Sequence, residues 1–272
     1  MKNNILIFVL LFSLSSFAQI PIFNETQPFK LGEYFYIDSK ELNEKRTINV
    51  YLPQGYSKDS ANTYPVVYVL DGSAHEDFIH IAGLAQFLNM YQLMPNSIVV
   101  GISNIDRKRD YTFPTTIEQD KKDFPTTGGS AKFIAFLETE LQPAIQNSYK
   151  INESKTIIGQ SLGGLLATEI LLKKPNLFNN YIIISPSLWW DNESLLKLAP
   201  ELLKNSSDKK LSVFVGVGKE GKVMENDAKK LAAVLKTQKN CSTHFEYLPN
   251  EDHATILHRA VYRAMEVFYG KK

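Results

Sequence analysis

Residues 157–167 read IIGQSLGGLLA, in which Gly159, Ser161 and Gly163 form the pattern G-x-S-x-G. An apolar run precedes it and a Leu/Ala-rich segment follows, so the serine falls in a tight turn between a buried strand and a helix. In that setting the hydroxyl stands exposed at the strand end, and glycines on either side keep strand and helix from colliding. The amide of Leu162 opens the helix, where unpaired N–H groups and the helix dipole favour a developing oxyanion. The chemistry on offer is nucleophilic attack at an acyl carbon, which requires a base to take the hydroxyl proton.

The chain has five histidines, His75, His80, His244, His253 and His258. A serine in such a turn is followed along the chain by its acid and then by its histidine, which sets aside His75 and His80. His244 begins a predicted strand and His258 falls inside a predicted helix. His253, in the polar loop PNEDHAT, is therefore the candidate base. The acid belongs just after the predicted strand 211–218, where GKEGKVMEND offers Glu220, Glu225 and Asp227. Glu220 is two residues past the strand and is preferred. Glu225 and Asp227 fall at or within the next helix, where a negative charge near the N-terminus has its own structural use. A second oxyanion donor is expected from the loop after strand 65–72, at the amide of Gly72 or Ser73. Asp71 in that loop either serves the site or bonds loop amides.

Two groups are candidates for holding substrate. Arg107 and Arg109, in the run DRKRD (106–110), could receive an anionic group or could form local ion pairs. Trp189 and Trp190 could stack on an aromatic or sugar moiety, or could pack the core. The chain has no HExxH and no His/Cys cluster at ligand spacing, so neither a metal nor another cofactor is expected.

These residues are positioned by alternating strands and helices. EYFYIDS (33–39) and RTINVYLP (46–53) alternate in polarity around KELNEK and predict a hairpin. Continuous apolar runs at 65–72, 97–104, 156–161, 179–187 and 211–218 predict buried parallel strands, and 243–249 adds another. Helical spacing covers 76–94, 130–149 with Ser130 as N-cap, the segment after Ser161, 223–237 and 254–269. The fold class is α/β, with a mainly parallel central sheet, helices on both faces and an N-terminal antiparallel hairpin. No linker-like stretch divides residues 19–272, which are read as one domain.

The first residues, MKNNILIFVLLFSLSSFAQ, have the charge, short apolar core and small residues (Ser16, Ala18) of a cleavable signal peptide over 1–18. The apolar core is too short for a span of about 20 residues, so no membrane anchor is expected after cleavage. A secreted or periplasmic location follows. The lone cysteine, Cys241, cannot pair within the chain, and a chain of this length can rely on its core. A net charge of +1 supplies no drive toward nucleic acid.

Several motifs together resemble the esterase family of the α/β-hydrolase superfamily, which includes siderophore esterases, feruloyl and acetyl-xylan esterases, S-formylglutathione hydrolase and mycolyltransferases. They are VYLPQGY (50–56), YPVVYVLDG (64–72), GISNIDRKRDYTF (101–113), GGSAKFIAFLETEL (128–141), IIGQSLGGLLA (157–167), ISPSLWW (184–190) and NEDHAT (250–255). The resemblance implies the α/β-hydrolase fold, Ser161 as nucleophile, His253 as base and an acid in the 218–227 loop. Gln160 departs from the histidine more usual before the serine. The expected activity is a serine carboxylic-ester hydrolase acting through an acyl-enzyme on small, siderophore or aromatic-type esters. An acyltransferase, or a catalytically silent binding protein of the same fold, is the alternative.

Overall fold

The computed structural model describes residues 25–205 and 209–270; the segment expected as a signal peptide lies outside them. The chain separates into two units by contact, residues 1–30 and 31–272, and in the first the described residues 25–30 are irregular and exposed. All the elements named below belong to the second.

The central sheet has eight strands: β1 Glu33–Ser39, β2 Glu44–Tyr51, β3 Tyr64–Val69, β4 Ile98–Ile102, β5 Ile151–Gln160, β6 Asn180–Ile184, β7 Leu211–Gly218 and β8 Cys241–Leu248. Their spatial order is β1-β2-β4-β3-β5-β6-β7-β8. β1 and β2 form the expected hairpin, β2 joins β4 antiparallel, and every pairing from β4 to β8 is parallel. The helices are α1 Phe78–Met90, α2 Arg107–Tyr111, α3 Glu118–Asp123, α4 Ser130–Phe136, α5 Gln142–Ser148, α6 Leu162–Lys173, α7 Trp190–Leu202, α8 Lys222–Leu235 and α9 Ile256–Tyr269.

The apolar runs are continuous because the sheet is covered on both sides. Along β3, Val66 and Tyr68 point into a core shared with α4 to α8, whereas Val67 and Val69 point into one shared with α1 and α9. α6 is buried from Leu162 to Leu172, and each fully buried leucine there contributes roughly 1.5–3 kcal/mol.

Several boundaries differ from expectation. The helix expected over 130–149 is continuous but contains a π turn at Leu137–Leu141, and its N-cap is Gly129 rather than Ser130. The strand expected over 179–187 stops at Ile184 because Ser185 takes a left-handed backbone (φ 43°) and leaves the sheet. The short helices α2 and α3 carry no long apolar period, so periodicity does not predict them. The parallel strands end together at one edge, and the loops leaving that edge are the ones expected to hold the chemistry.

Candidate active site

The turn after β5 is built by close approach. A Cβ on Gly159 would lie 2.3 Å from the carbonyl oxygen of Gly163, so only glycine lets β5 and α6 meet there. Ser161 sits between them at φ 59°, ψ −120°, a strained conformation for a residue with a side chain. Its N–H donates to the Ile184 carbonyl (3.0 Å), and its own carbonyl accepts from Leu165 (2.9 Å) and Ser187 (3.0 Å). With the backbone so committed, the side chain faces outward, and its Oγ lies 3.3 Å from Ser187 Oγ.

A cleft of about 600 Å³ opens beside it, and Ser161, Glu220 and His253 all line it. Glu220 Oε2 lies 2.5 Å from His253 Nδ1. The other oxygen, Oε1, accepts from the Ser185 hydroxyl and from the Gly218 N–H at 2.9 Å. Burial pushes the Glu220 carboxyl up, but the hydrogen bonds from His253, Ser185 and Gly218 outweigh it, and the group ends below its usual range. Glu220 is therefore an anion held against the imidazole, an arrangement that puts the histidine proton on Nδ1 and leaves Nε2 able to accept another. Of the three acids offered by the sequence, Glu220 alone is bonded to His253. Glu225 accepts from the Glu220 and Gly221 amides (3.3 Å each), shaping the loop, and the buried Asp227 pairs with Lys230.

The His253 loop is tied down independently. The Lys219 N–H donates to the Glu251 carbonyl (2.7 Å), and the Gln160 side-chain amide donates to the His253 carbonyl (2.5 Å). Gln160 thus joins the serine turn to the histidine loop through an uncharged side chain.

Oxyanion donors are partly as expected. Leu162 is the first residue of α6, and an amide in that position has no carbonyl one turn back to bond. The Gly72 N–H is not free: it donates to the Ile102 carbonyl at 2.9 Å, which corrects its expected part in an oxyanion hole. The Ser73 amide makes only a long contact to Glu76 Oε2 (3.4 Å) and remains the candidate in that loop.

The expected substrate-binding residues divide. Trp189 lines the cleft. Trp190 does not: it is wholly buried, with its Nε1–H donating to the Phe113 carbonyl (3.0 Å), and its role is packing. Arg107 and Arg109 take the other of their two expected parts, local ion pairs, which neutralise both within the fold. Arg107 forks onto Asp71 (Nε–Oδ1 2.6 Å, Nη2–Oδ2 2.8 Å) and also donates to the Gln160 carbonyl at 3.2 Å. Arg109 pairs with Asp110 and Glu44 at 2.7 Å each, in a network that includes the buried Arg46. Asp71 also accepts from the Asn104 side chain (2.6 Å), so it ties its own loop to the segment after β4, and Arg107 carries the tie on to the serine turn. Sequence reasoning missed Ser185 and Ser187. The signal was present in ISPSLWW, where two serines follow directly on a buried strand. Among the described residues no group of three or more His, Cys, Asp or Glu could hold a metal ion.

A mixed sheet of this order, a strained serine at a strand–helix turn and a histidine–carboxylate pair in the same cleft are the marks of an α/β-hydrolase, and the family match narrows that class to a carboxylic ester hydrolase. Residues 39–260 match the family model described as Putative esterase, and the chain belongs to that family. It is similar to the ferri-bacillibactin esterase BesA of Bacillus subtilis, with 28% identity over 249 residues covering 82% of this chain and 85% of that protein. It is also similar to the siderophore triacetylfusarinine C esterase of Aspergillus fumigatus, with 28% identity over 212 residues covering 70% of this chain and 68% of that one. Among solved structures, the IroE-like serine hydrolase from Shewanella oneidensis superposes with a TM-score of 0.80 at 29% identity, covering 88% of this chain and 80% of that one.

Proposed function

We propose that this ester hydrolase works through an acyl-enzyme formed on Ser161, and that its substrates are small esters of the siderophore or aromatic type. The observation that carries this reading is the His253–Glu220 pair at 2.5 Å in the same cleft as a strained, outward-facing serine. His253 Nε2 takes the Ser161 proton as Oγ attacks the acyl carbon. The Leu162 and Ser73 amides hold the oxyanion. Imidazolium then protonates the leaving alcohol, and the same histidine activates the water that releases the acid. Glu220 fixes the tautomer and stabilises the imidazolium while staying ionised itself. The siderophore class rests on the similarity to BesA and to the triacetylfusarinine C esterase.

The test is turnover of an aryl ester and of a ferric tris-catecholate lactone by wild type, Ser161→Ala and His253→Ala. Each variant should lose about 10³-fold or more in kcat. Turnover of both substrates by Ser161→Ala at the wild-type rate would end the proposal. We place the enzyme in the cell envelope on the strength of the sequence at 1–18. N-terminal sequencing of the exported protein should find Gln19 first; an intact leader on the active enzyme would contradict it.

A further inference from the structure

With Arg107 and Arg109 neutralised inside the fold, the question of what receives a charged substrate returns to the cleft itself. Apart from His253, one basic residue lines it, Lys219. It is the first residue after β7, and the bond from its amide to the Glu251 carbonyl (2.7 Å) fixes its backbone between the Glu220 and His253 loops. Its side chain is exposed, and among the described residues no carboxylate lies within 4.0 Å of its ammonium. The acids that line the same cleft are already engaged. Both oxygens of Glu220 are bonded, and Asp252 Oδ1 accepts the amides of Ala254 (2.9 Å) and Thr255 (3.1 Å) at the start of α9.

The remaining lining residues are Ser187, Trp189, Met224 and Ala254, three of them apolar. Trp189 is half-buried against Phe124 and Trp190, with ring centroids 6.1 and 6.2 Å away, and the rest of its surface contributes to the cleft with Met224. Arg107 is matched to Asp71 and Lys230 to Glu193 and Asp227, whereas Lys219, like several other exposed lysines among the described residues, has no carboxylate within 4.0 Å. A cation left without one, beside an aromatic wall and next to the acyl-transfer residues, is suited to an anion carried on an aromatic ring.

We propose that Lys219 selects ester substrates bearing a negative charge, a carboxylate or phenolate on an aromatic ring, with the ring against Trp189 and the charge at the Lys219 ammonium. This rests on the ester-hydrolase reading of the same cleft. A lysine suits the task because its charge is a point on a flexible stem and can follow ligands of different size.

The experiment compares matched esters that differ by one charge. One pair carries it on the alcohol side: 4-acetoxybenzoate and 4-acetoxybenzamide. The other carries it on the acyl side: mono-4-nitrophenyl terephthalate and 4-nitrophenyl 4-carbamoylbenzoate. For each protein the readout is the ratio of kcat/KM for the anionic ester to that for its neutral partner, so intrinsic reactivity cancels between variants. In at least one pair that ratio should fall about tenfold in Lys219→Met and further in Lys219→Glu. For wild type it should also fall as salt rises from 50 to 500 mM, roughly as screening predicts, and this salt dependence should vanish in Lys219→Met. Ratios unchanged in both pairs, with Ser161-dependent turnover intact, overturn the assignment of Lys219 alone. Failure of wild type on all four esters overturns the ester-hydrolase reading and this assignment with it.

Discussion

Replacing Glu220 by Gln tests the arrangement at its least forgiving point. The carboxylate uses one oxygen for His253 Nδ1 and the other for two donors, the Ser185 hydroxyl and the Gly218 amide. A glutamine has a single acceptor oxygen. If that oxygen keeps Ser185 and Gly218, the amide nitrogen faces His253 and can only donate. The histidine must then carry its proton on Nε2, where it can no longer accept one from Ser161. If the amide is reversed, the Gly218 N–H confronts another N–H, and a buried donor loses its partner at a cost of about 1–3 kcal/mol. The first orientation therefore dominates, and it is the inactive one. The amide substitution of the acid in a serine triad costs about 10⁴-fold in kcat, equivalent to ~5 kcal/mol of barrier, and the same order is expected here. Steady-state hydrolysis of a 4-nitrophenyl ester at neutral pH measures it, with Glu225→Gln as the companion variant. Glu225 accepts two loop amides through one oxygen, which a glutamine retains, so that variant should stay within about threefold of wild type. Glu220→Gln within tenfold of wild type, or Glu225→Gln the worse of the two, would refute the assignment of the acid.

Two further outcomes follow from the loop beside the serine. Arg107→Ala removes the fork that holds Asp71 and the bond to the Gln160 carbonyl, and so frees the Ser73 loop from the serine turn. kcat should fall roughly 10–100-fold with little change in KM, and millimolar guanidinium should restore part of it; a loss confined to KM would show that Arg107 binds substrate instead. Asp77, which precedes α1, is pushed up from 3.8 to about 7 by burial and then by the charges of Asp71 and Glu76, with Arg107 partly opposing. Between about pH 4 and 7 the folded chain keeps a proton that the unfolded chain has lost, so stability declines as pH rises through that window and stays reduced above it. Asp77→Asn should abolish this decline, adding about 1–3 kcal/mol above pH 7 and nothing below pH 4 in denaturant unfolding; an equal gain at both extremes would remove the titration from the explanation.

What could be read from the sequence was what depends on local order. The serine turn was legible because a buried strand and a helix flank it within a dozen residues. His253 was legible because histidines are few, and Glu220 because its distance from the end of β7 is short. The fate of Arg107 and Arg109 was not legible. A run such as DRKRD shows charges, but not that Asp71 and Glu44, 36 and 65 residues away, fold back onto two of them. Nor could adjacent tryptophans be told apart: Trp190 begins α7 and is enclosed, while Trp189 precedes it and stays at the cleft. The start of α7 hides another departure. Asp191, Asn192 and Glu193 take left-handed φ of 49°, 54° and 58° with no glycine to announce it, and the Asp191 carboxylate accepts from Thr115 and Thr116 there.

Backbone strain links these particulars. Three residues with side chains take positive φ just past the ends of neighbouring parallel strands: Asp71 (55°) after β3, Ser161 (59°) after β5 and Ser185 (43°) after β6. Each costs of order 1–3 kcal/mol, and such conformations persist only where surrounding contacts over-determine them. Those contacts are present at every one. The Asp71 N–H donates to the Tyr111 hydroxyl (3.0 Å), Ser161 is held on both sides of its peptide by Ile184, Leu165 and Ser187, and the Ser185 N–H donates to the Gly216 carbonyl (2.8 Å). A relaxed strand would have carried each side chain onward into the next turn of loop. The forced turn instead aims Asp71 at Arg107, Ser161 into the cleft and Ser185 at Glu220, so the strain is spent on orienting three parts of one site. A glycine at any of the three would relieve the backbone and delete the group that the turn exists to aim. This is why side chains occupy positions where local energetics alone would favour glycine.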